Sequence, residues 1–132
     1  MPRTKASDWK ARAVEDWNVT TFHAYLIDRN REDYNADYVP FGRGSISKRW
    51  STEKGQLKQA ITKHGNEATK AFIDKCFDSH RFNPDFPTLS FGFMWSYMRD
   101  NMARAEVELR KQKKREEAAK QAEETEVDEG WF

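Results

Sequence analysis

Apolar residues return at intervals of three and four on both sides of a single glycine, Gly65. Before it Leu57, Ala60 and Ile61 share one helix face; after it Ala68, Phe72, Cys76 and Phe77 share another. That spacing marks amphipathic α-helices, and glycine is the residue favoured just past a helix C-terminus, where positive φ is needed. The segment therefore reads as an αα-hairpin joined by about two residues, its first helix capped by Ser51 or Thr52 and its second by Asn66.

The rest of the chain follows the same logic. Asn18 is a good N-cap ahead of Val19, Phe22, Tyr25 and Leu26, so a helix is predicted from there to Tyr34. Residues 1–17 carry Trp9 and Trp17, either on a short helix begun by Ser7 and Asp8 or as an arm packed through its tryptophans. Pro40, Gly42 and Gly44 break helix between Ala36 and Trp50, which reads as an exposed basic loop. Pro84 and Pro87 do the same between His80 and Ser90, predicting an extended connector anchored by Phe82 and Phe86. From Phe91 one helix presents Met94, Trp95, Met98, Met102, Ala105 and Leu109 on its inner stripe. Beyond Leu109 the stripe ends although helix-forming residues continue.

The expected fold is all-α: a small bundle of about four helices, a long projecting C-terminal helix and a disordered acidic tail. Its core is drawn from Phe22, Leu26, Leu57, Ile61, Phe72, Cys76, Phe77, Met94, Trp95 and Met98. The expected organisation is an N-terminal arm (1–17), a helical domain (18–109), a charged helix extension (110–124) and an acidic-aromatic tip (125–132). With 37% hydrophobic and 34% charged residues such a core needs a few large side chains, and the 14% aromatics supply them.

Several function classes find no support. No apolar run nears the roughly 20 residues of a membrane span, and Met1-Pro2-Arg3-Thr4-Lys5 lacks the apolar stretch of a signal peptide. A soluble cytoplasmic protein with no membrane partner is expected, and the lone Cys76 agrees with a reducing compartment. His23, His64 and His80 stand in no ligand spacing with Cys76, so neither metal nor cofactor is expected. Gly42-Arg43-Gly44 is too short for a phosphate loop. Cys76 and His80 have the i, i+4 spacing of a nucleophile pair, but Cys76 falls on the apolar face and reads as a structural residue. Glu15-Asp16 and Glu32-Asp33 are adjacent residues that point apart. Without a convergent set of nucleophile, base and oxyanion donors, a non-catalytic protein is expected.

Charge is distributed unevenly. Residues 1–115 hold 22 Lys/Arg and 15 Asp/Glu, a net of +7, whereas residues 116–132 hold Lys120 against seven acids, a net of −6. The body should attract polyanions, and the tail resembles one. Arg43, Lys48, Arg49 and Trp50, with Lys54 and Lys58 on the following helix, form a local cluster able to neutralise phosphates while Trp50 or Phe41 stacks on a base. Alternatively, Trp50 belongs to the core and the charges only solubilise. Arg110, Lys111, Lys113, Lys114 and Arg115 are a second nucleic-acid candidate, part of their charge being met by i, i+4 glutamates. DNA is the expected polyanion.

Past the charged run, Glu126, Asp128 and Glu129 precede Trp131 and Phe132. Two large aromatics behind an acidic spacer suit another protein's apolar pocket, with the acids steering approach; the alternative is a tail that folds back on the basic body. The segment resembles the acidic, phenylalanine-ended tips of bacterial and phage single-stranded-DNA-binding proteins, and is similar to the tails by which phage late-transcription factors hold the sliding clamp. Trp50 to Lys58, Lys63-His64-Gly65, Phe72-Ile73-Asp74 and Pro87 to Met94 resemble a helical module of bacteriophage replication accessory proteins, of initiator or helicase-loader type and distantly DnaD-like. No winged-helix pattern precedes that module in this chain.

Together these features lead to the expectation of an accessory protein of phage-type DNA replication, binding DNA through its body and a replisome protein such as a helicase, polymerase or sliding clamp through its tip. A late-transcription co-activator, a pure protein-interaction inhibitor of a host enzyme, and a virion scaffold are the alternatives.

Overall fold

The computed structural model describes residues 5–85 and 87–129, with side chains through 123. Its regular structure is helical: α1 (Val19–Tyr34), α2 (Ile46–His64), α3 (Asn66–Ser79), α4 (Phe91–Tyr97) and α5 (Asp100–Glu129), preceded by two 3-10 turns at Trp9–Ala11 and Val14–Asp16. The all-α bundle expected from the sequence is what the chain forms.

The α1 helix begins where its cap predicts. Asn18 Oδ1 accepts from the Thr21 amide at 3.1 Å while Thr21 Oγ1 accepts from the Asn18 amide at 3.2 Å, a reciprocal capping box. Asn35 ends the helix at a left-handed φ of 50°, a conformation asparagine tolerates better than most residues. Inside, α1 buries Phe22, Tyr25 and Leu26. Its buried Asn30 clasps the connector, accepting from Leu89 N at 2.7 Å and donating to Leu89 O at 2.9 Å. That clasp satisfies both backbone groups of a residue in the core.

Helix α2 starts earlier than expected. Ser45, not Ser51 or Thr52, is its cap, accepting from the Lys48 amide at 3.2 Å. Gly44, at φ 96°, supplies the turn just before it, so the broken segment is shorter than Ala36–Trp50 and residues 46–50 are helical. Gly55 sits mid-helix without ending it.

Gly65 alone joins α2 to α3 and also serves as the cap residue of α3, its φ of 88° turning the chain. Asn66 is therefore the first helical residue rather than a cap. Its side-chain amide instead donates to the carbonyls of Val14, Glu15 and Trp17 at 2.8, 3.0 and 2.8 Å. These bonds tie residues 5–17 to the bundle as an arm packed through its tryptophans. Trp17 is buried, and Trp9 Nε1 donates to Asp28 at 2.7 Å while its ring meets Tyr25 edge-on at 4.7 Å.

The helix expected to run unbroken from Phe91 is two helices. After Tyr97 the chain turns at Met98 and Arg99 and α5 begins at Asp100. The break redirects α5 onto α3: Asn101 is buried and donates to Cys76 Sγ at 3.6 Å and Ser79 Oγ at 3.3 Å, and Met102 and Ala105 enter the core. Beyond Arg110 every side chain through 123 is exposed. Helix continues to Glu129, into the segment expected to be disordered from Thr125, because no glycine or proline interrupts it before Gly130 and each added residue gains one backbone bond.

Of the expected core, Ile61 and Met98 are half-buried against it and the rest are buried. Trp17, Tyr25, Ile73, Leu89 and Phe91 complete the interior. Phe82 is half exposed, stacked on Tyr34 at 5.5 Å, and Phe86 lies outside the described residues.

Candidate nucleic-acid interface

Helix α2 carries Lys48, Arg49, Lys54, Lys58 and Lys63 against one carboxylate, Glu53. The core-facing stripe takes that acid inward with Leu57 and Ala60, where it is 1% exposed. His23 Nε2 donates to Glu53 Oε1 at 3.0 Å, the Tyr38 hydroxyl donates to the same oxygen, and the Gly92 amide approaches Oε2 at 3.4 Å. Burial, with the Glu53 charge beside it, holds the Tyr38 phenol well above its ordinary range. The hydroxyl is thus a fixed donor to Glu53 and an acceptor for the Phe91 amide at 2.9 Å. This network, which sequence reasoning missed, leaves the outer surface of α2 without an acid.

Among the described residues none of these five cations has a carboxylate within 4.0 Å, whereas Arg29, Lys70, Lys75 and Lys113 on the other helices each do. Lys48, Lys54, Lys58 and Lys63 are exposed, and the side chains from Lys48 to Lys63 span roughly 22 Å of helix at 1.5 Å per residue. Arg43 is exposed in the preceding loop, and the half-buried Arg49 returns to brace that loop, Nε donating to Gly44 O at 3.1 Å. Trp50 is half-buried, its ring centroid 5.0 Å from that of His23, edge-on, and 5.6 Å from that of Tyr38. Phe41 is 41% exposed, in contact with Phe93 and Tyr97.

An open groove of about 550 Å³ runs between α2 and the α4–α5 turn, lined by Lys58, Lys63, Arg99 and Trp95 and by no carboxylate. The Arg99 guanidinium lies over the Trp95 ring, 3.2 Å from its centroid, so the cation is held in place by the indole.

The second basic cluster sits elsewhere. Lys75–Glu108 at 2.5 Å and Lys113–Glu67 at 3.4 Å lay α5 along α3, and His64–Glu106 at 2.5 Å fixes it at the end of α2. Arg110, Lys111, Lys113, Lys114 and Arg115 therefore leave the body past the C-terminal end of α2 rather than beside Arg43 and Lys48. Glu126, Asp128 and Glu129 fall on the last turns of α5, and Trp131 and Phe132 lie outside the described residues.

The His80 amide donates to the Cys76 carbonyl at 2.9 Å as the helix cap, and among the described residues no hydrogen bond joins the Cys76 thiol to the His80 ring. The thiol is fully buried and pushed up to about 12 by that burial, an unreactive state. Among the described residues no group of His, Cys, Asp or Glu is gathered to hold a metal, and no helix is long and apolar enough to cross a membrane. No protein-family model, curated protein or solved structure matches the chain.

Proposed function

We propose that this chain is a non-catalytic nucleic-acid-binding adaptor, with α2 and the Arg43 loop as its phosphate-contacting surface. One observation carries the reading: among the described residues five cations on one helix, and Arg99 beside them, have no carboxylate partner, while the only acid of that helix is turned inward. A surface of one sign attracts a polyanion and releases its counterions on contact. Arg110 to Arg115 form a separate cationic extension along the same chain. The tip residues Glu126, Asp128, Glu129, Trp131 and Phe132 are the proposed contact for a replisome protein such as a helicase, polymerase or sliding clamp. The setting proposed for this activity is phage-type DNA replication, by the sequence resemblance.

Fluorescence anisotropy of labelled DNA across a salt series tests the reading. Affinity should fall steeply with salt, and Lys54→Ala with Lys58→Ala should weaken binding and lower the slope of log K against log salt by about one per lost phosphate contact. Absence of binding at low salt, or an unchanged slope in the double variant, would overturn it.

A further inference from the structure

Two exposed aromatic rings and a half-buried one cluster beside the basic loop. Phe41, Phe93 and Tyr97 are mutually in contact, with centroids 5.7 Å apart for Phe41–Phe93, 5.7 Å for Phe41–Tyr97 and 5.1 Å for Phe93–Tyr97. Tyr97 is 67% exposed and Phe41 41% exposed, while Phe93 is half-buried against the core and anchors them, so two large rings stand in water on a packed base. Two elements hold it rigidly. Phe93 and Tyr97 are one turn apart on α4, and Gly92 lets the Phe41 side chain approach, since a Cβ there would lie 3.3 Å from Phe41 Cβ.

Cations adjoin this patch directly. A Cβ at Gly42, next to Phe41, would lie 3.7 Å from Arg49 Cγ and one at Gly44 3.3 Å from Lys48 Cδ, so both side chains run close by the loop, and Arg43 stands exposed between the two glycines. Rings beside guanidinium and ammonium groups that have no carboxylate partner among the described residues match a ligand that offers flat apolar faces and phosphates at short spacing. A duplex hides its base faces in the stack; a single strand presents them.

We propose that Phe41, Phe93 and Tyr97 form a base-stacking platform, and that the strand held by Arg43, Lys48 and Arg49 is single-stranded nucleic acid. This rests on the nucleic-acid reading of α2 and adds strand preference and the residues that set it.

The test compares three labelled probes on the full chain at one salt concentration: an oligothymidylate of about 15 nucleotides, near the upper site size of a small binding domain, an abasic strand of equal length, and a duplex of equal length. The single strand should bind more tightly than the abasic strand and the duplex. Tyr97→Ala, at an exposed position, should weaken oligothymidylate binding about tenfold, the scale of one lost base–aromatic contact. It should leave abasic and duplex binding unchanged, and Tyr97→Trp should restore the loss. Equal affinity for normal and abasic strands, or no effect of Tyr97→Ala, overturns the platform while leaving the phosphate surface standing, and the patch would then belong to a protein contact. Failure of the wild-type chain to bind any of the three probes at low salt overturns both readings.

Discussion

His23 Nε2 lies 3.0 Å from Glu53 Oε1, and the pair bridges α1 and α2 almost entirely out of solvent. A carboxylate only accepts, so the ring donates, and with the Tyr38 hydroxyl and the Gly92 amide it surrounds Glu53 with donors from three other parts of the chain. The contact has two consequences at once. It fixes the loop before α2 against α4, and it removes the acid that would otherwise neutralise the cationic surface above it.

Replacing Glu53 strands those donors. Glu53→Ala should cost about 3 kcal/mol, the usual penalty for removing one partner from a buried charged network. Glu53→Gln keeps one acceptor oxygen for His23 and Tyr38 and should lose less. Chemical denaturation of the two variants checks the ordering; equal stability of Glu53→Ala and wild type would show the network to be dispensable.

Asn66 holds the N-terminal arm through one amide directed at three carbonyls. Asn66→Ala should loosen residues 5–17 and cost about 1–2 kcal/mol. Asn66→Asp should cost more, because a carboxylate aimed at carbonyl oxygens repels them. Limited proteolysis at Arg12 reads the arm directly, and cleavage should rise in the order wild type, Ala, Asp.

The helices were legible because their signals are local. Asn18 with Thr21, Gly65, Ser90 and the apolar spacings of α1, α3 and α4 all act within a turn or two of themselves. The errors came where distant partners decide. Ser45 wins over Ser51 as the cap of α2 because Trp50 and Glu53 have partners on α1 and in the Tyr38 loop, which draw the start of the helix onto the body. The turn at Met98 exists because Asn101 reaches Cys76 and Ser79 across the bundle. The basic residues could be named from sequence, but not their isolation from carboxylates, since the inward turn of Glu53 depends on His23, 30 positions away. Phe93 and Tyr97 carry the same lesson: their spacing marks a helix face, and only the approach of Phe41 makes it a patch.

His80 makes stability depend on pH. Its ring sits between Tyr34 and Phe93, at 5.9 and 6.3 Å, and burial holds its pKa below the ordinary value of 6.5. Below that value the unfolded chain takes up a proton that the folded chain resists, so the stability present at neutral pH falls as pH drops through 6.5 and levels off below the depressed folded value. Thermal melts of wild type and His80→Asn should differ more near about pH 8 than near pH 5. A gap that is constant across this range would remove His80 from the pH response.

The projecting end of α5 sets how strongly the acidic tail can oppose nucleic-acid binding. Lys113 is tied to Glu67 at 3.4 Å, and no side chain from Lys111 through residue 123 is buried. A helix leaving the body there places Glu123 about 15 Å beyond Lys113 at 1.5 Å per residue, and the acids that follow lie farther out. Screening extends only about 8 Å at physiological ionic strength but about 30 Å in 0.01 M salt. Removing residues 116–132 should therefore leave the melting temperature nearly unchanged. It should tighten DNA binding severalfold in roughly 0.01 M salt and by less than about twofold near 0.15 M. Tightening that persists at the higher salt would mean that the tail leaves the helical path and covers the cations of α2, and the truncated chain would then also show greater exposure of Lys54 and Lys58 to amine-reactive labels.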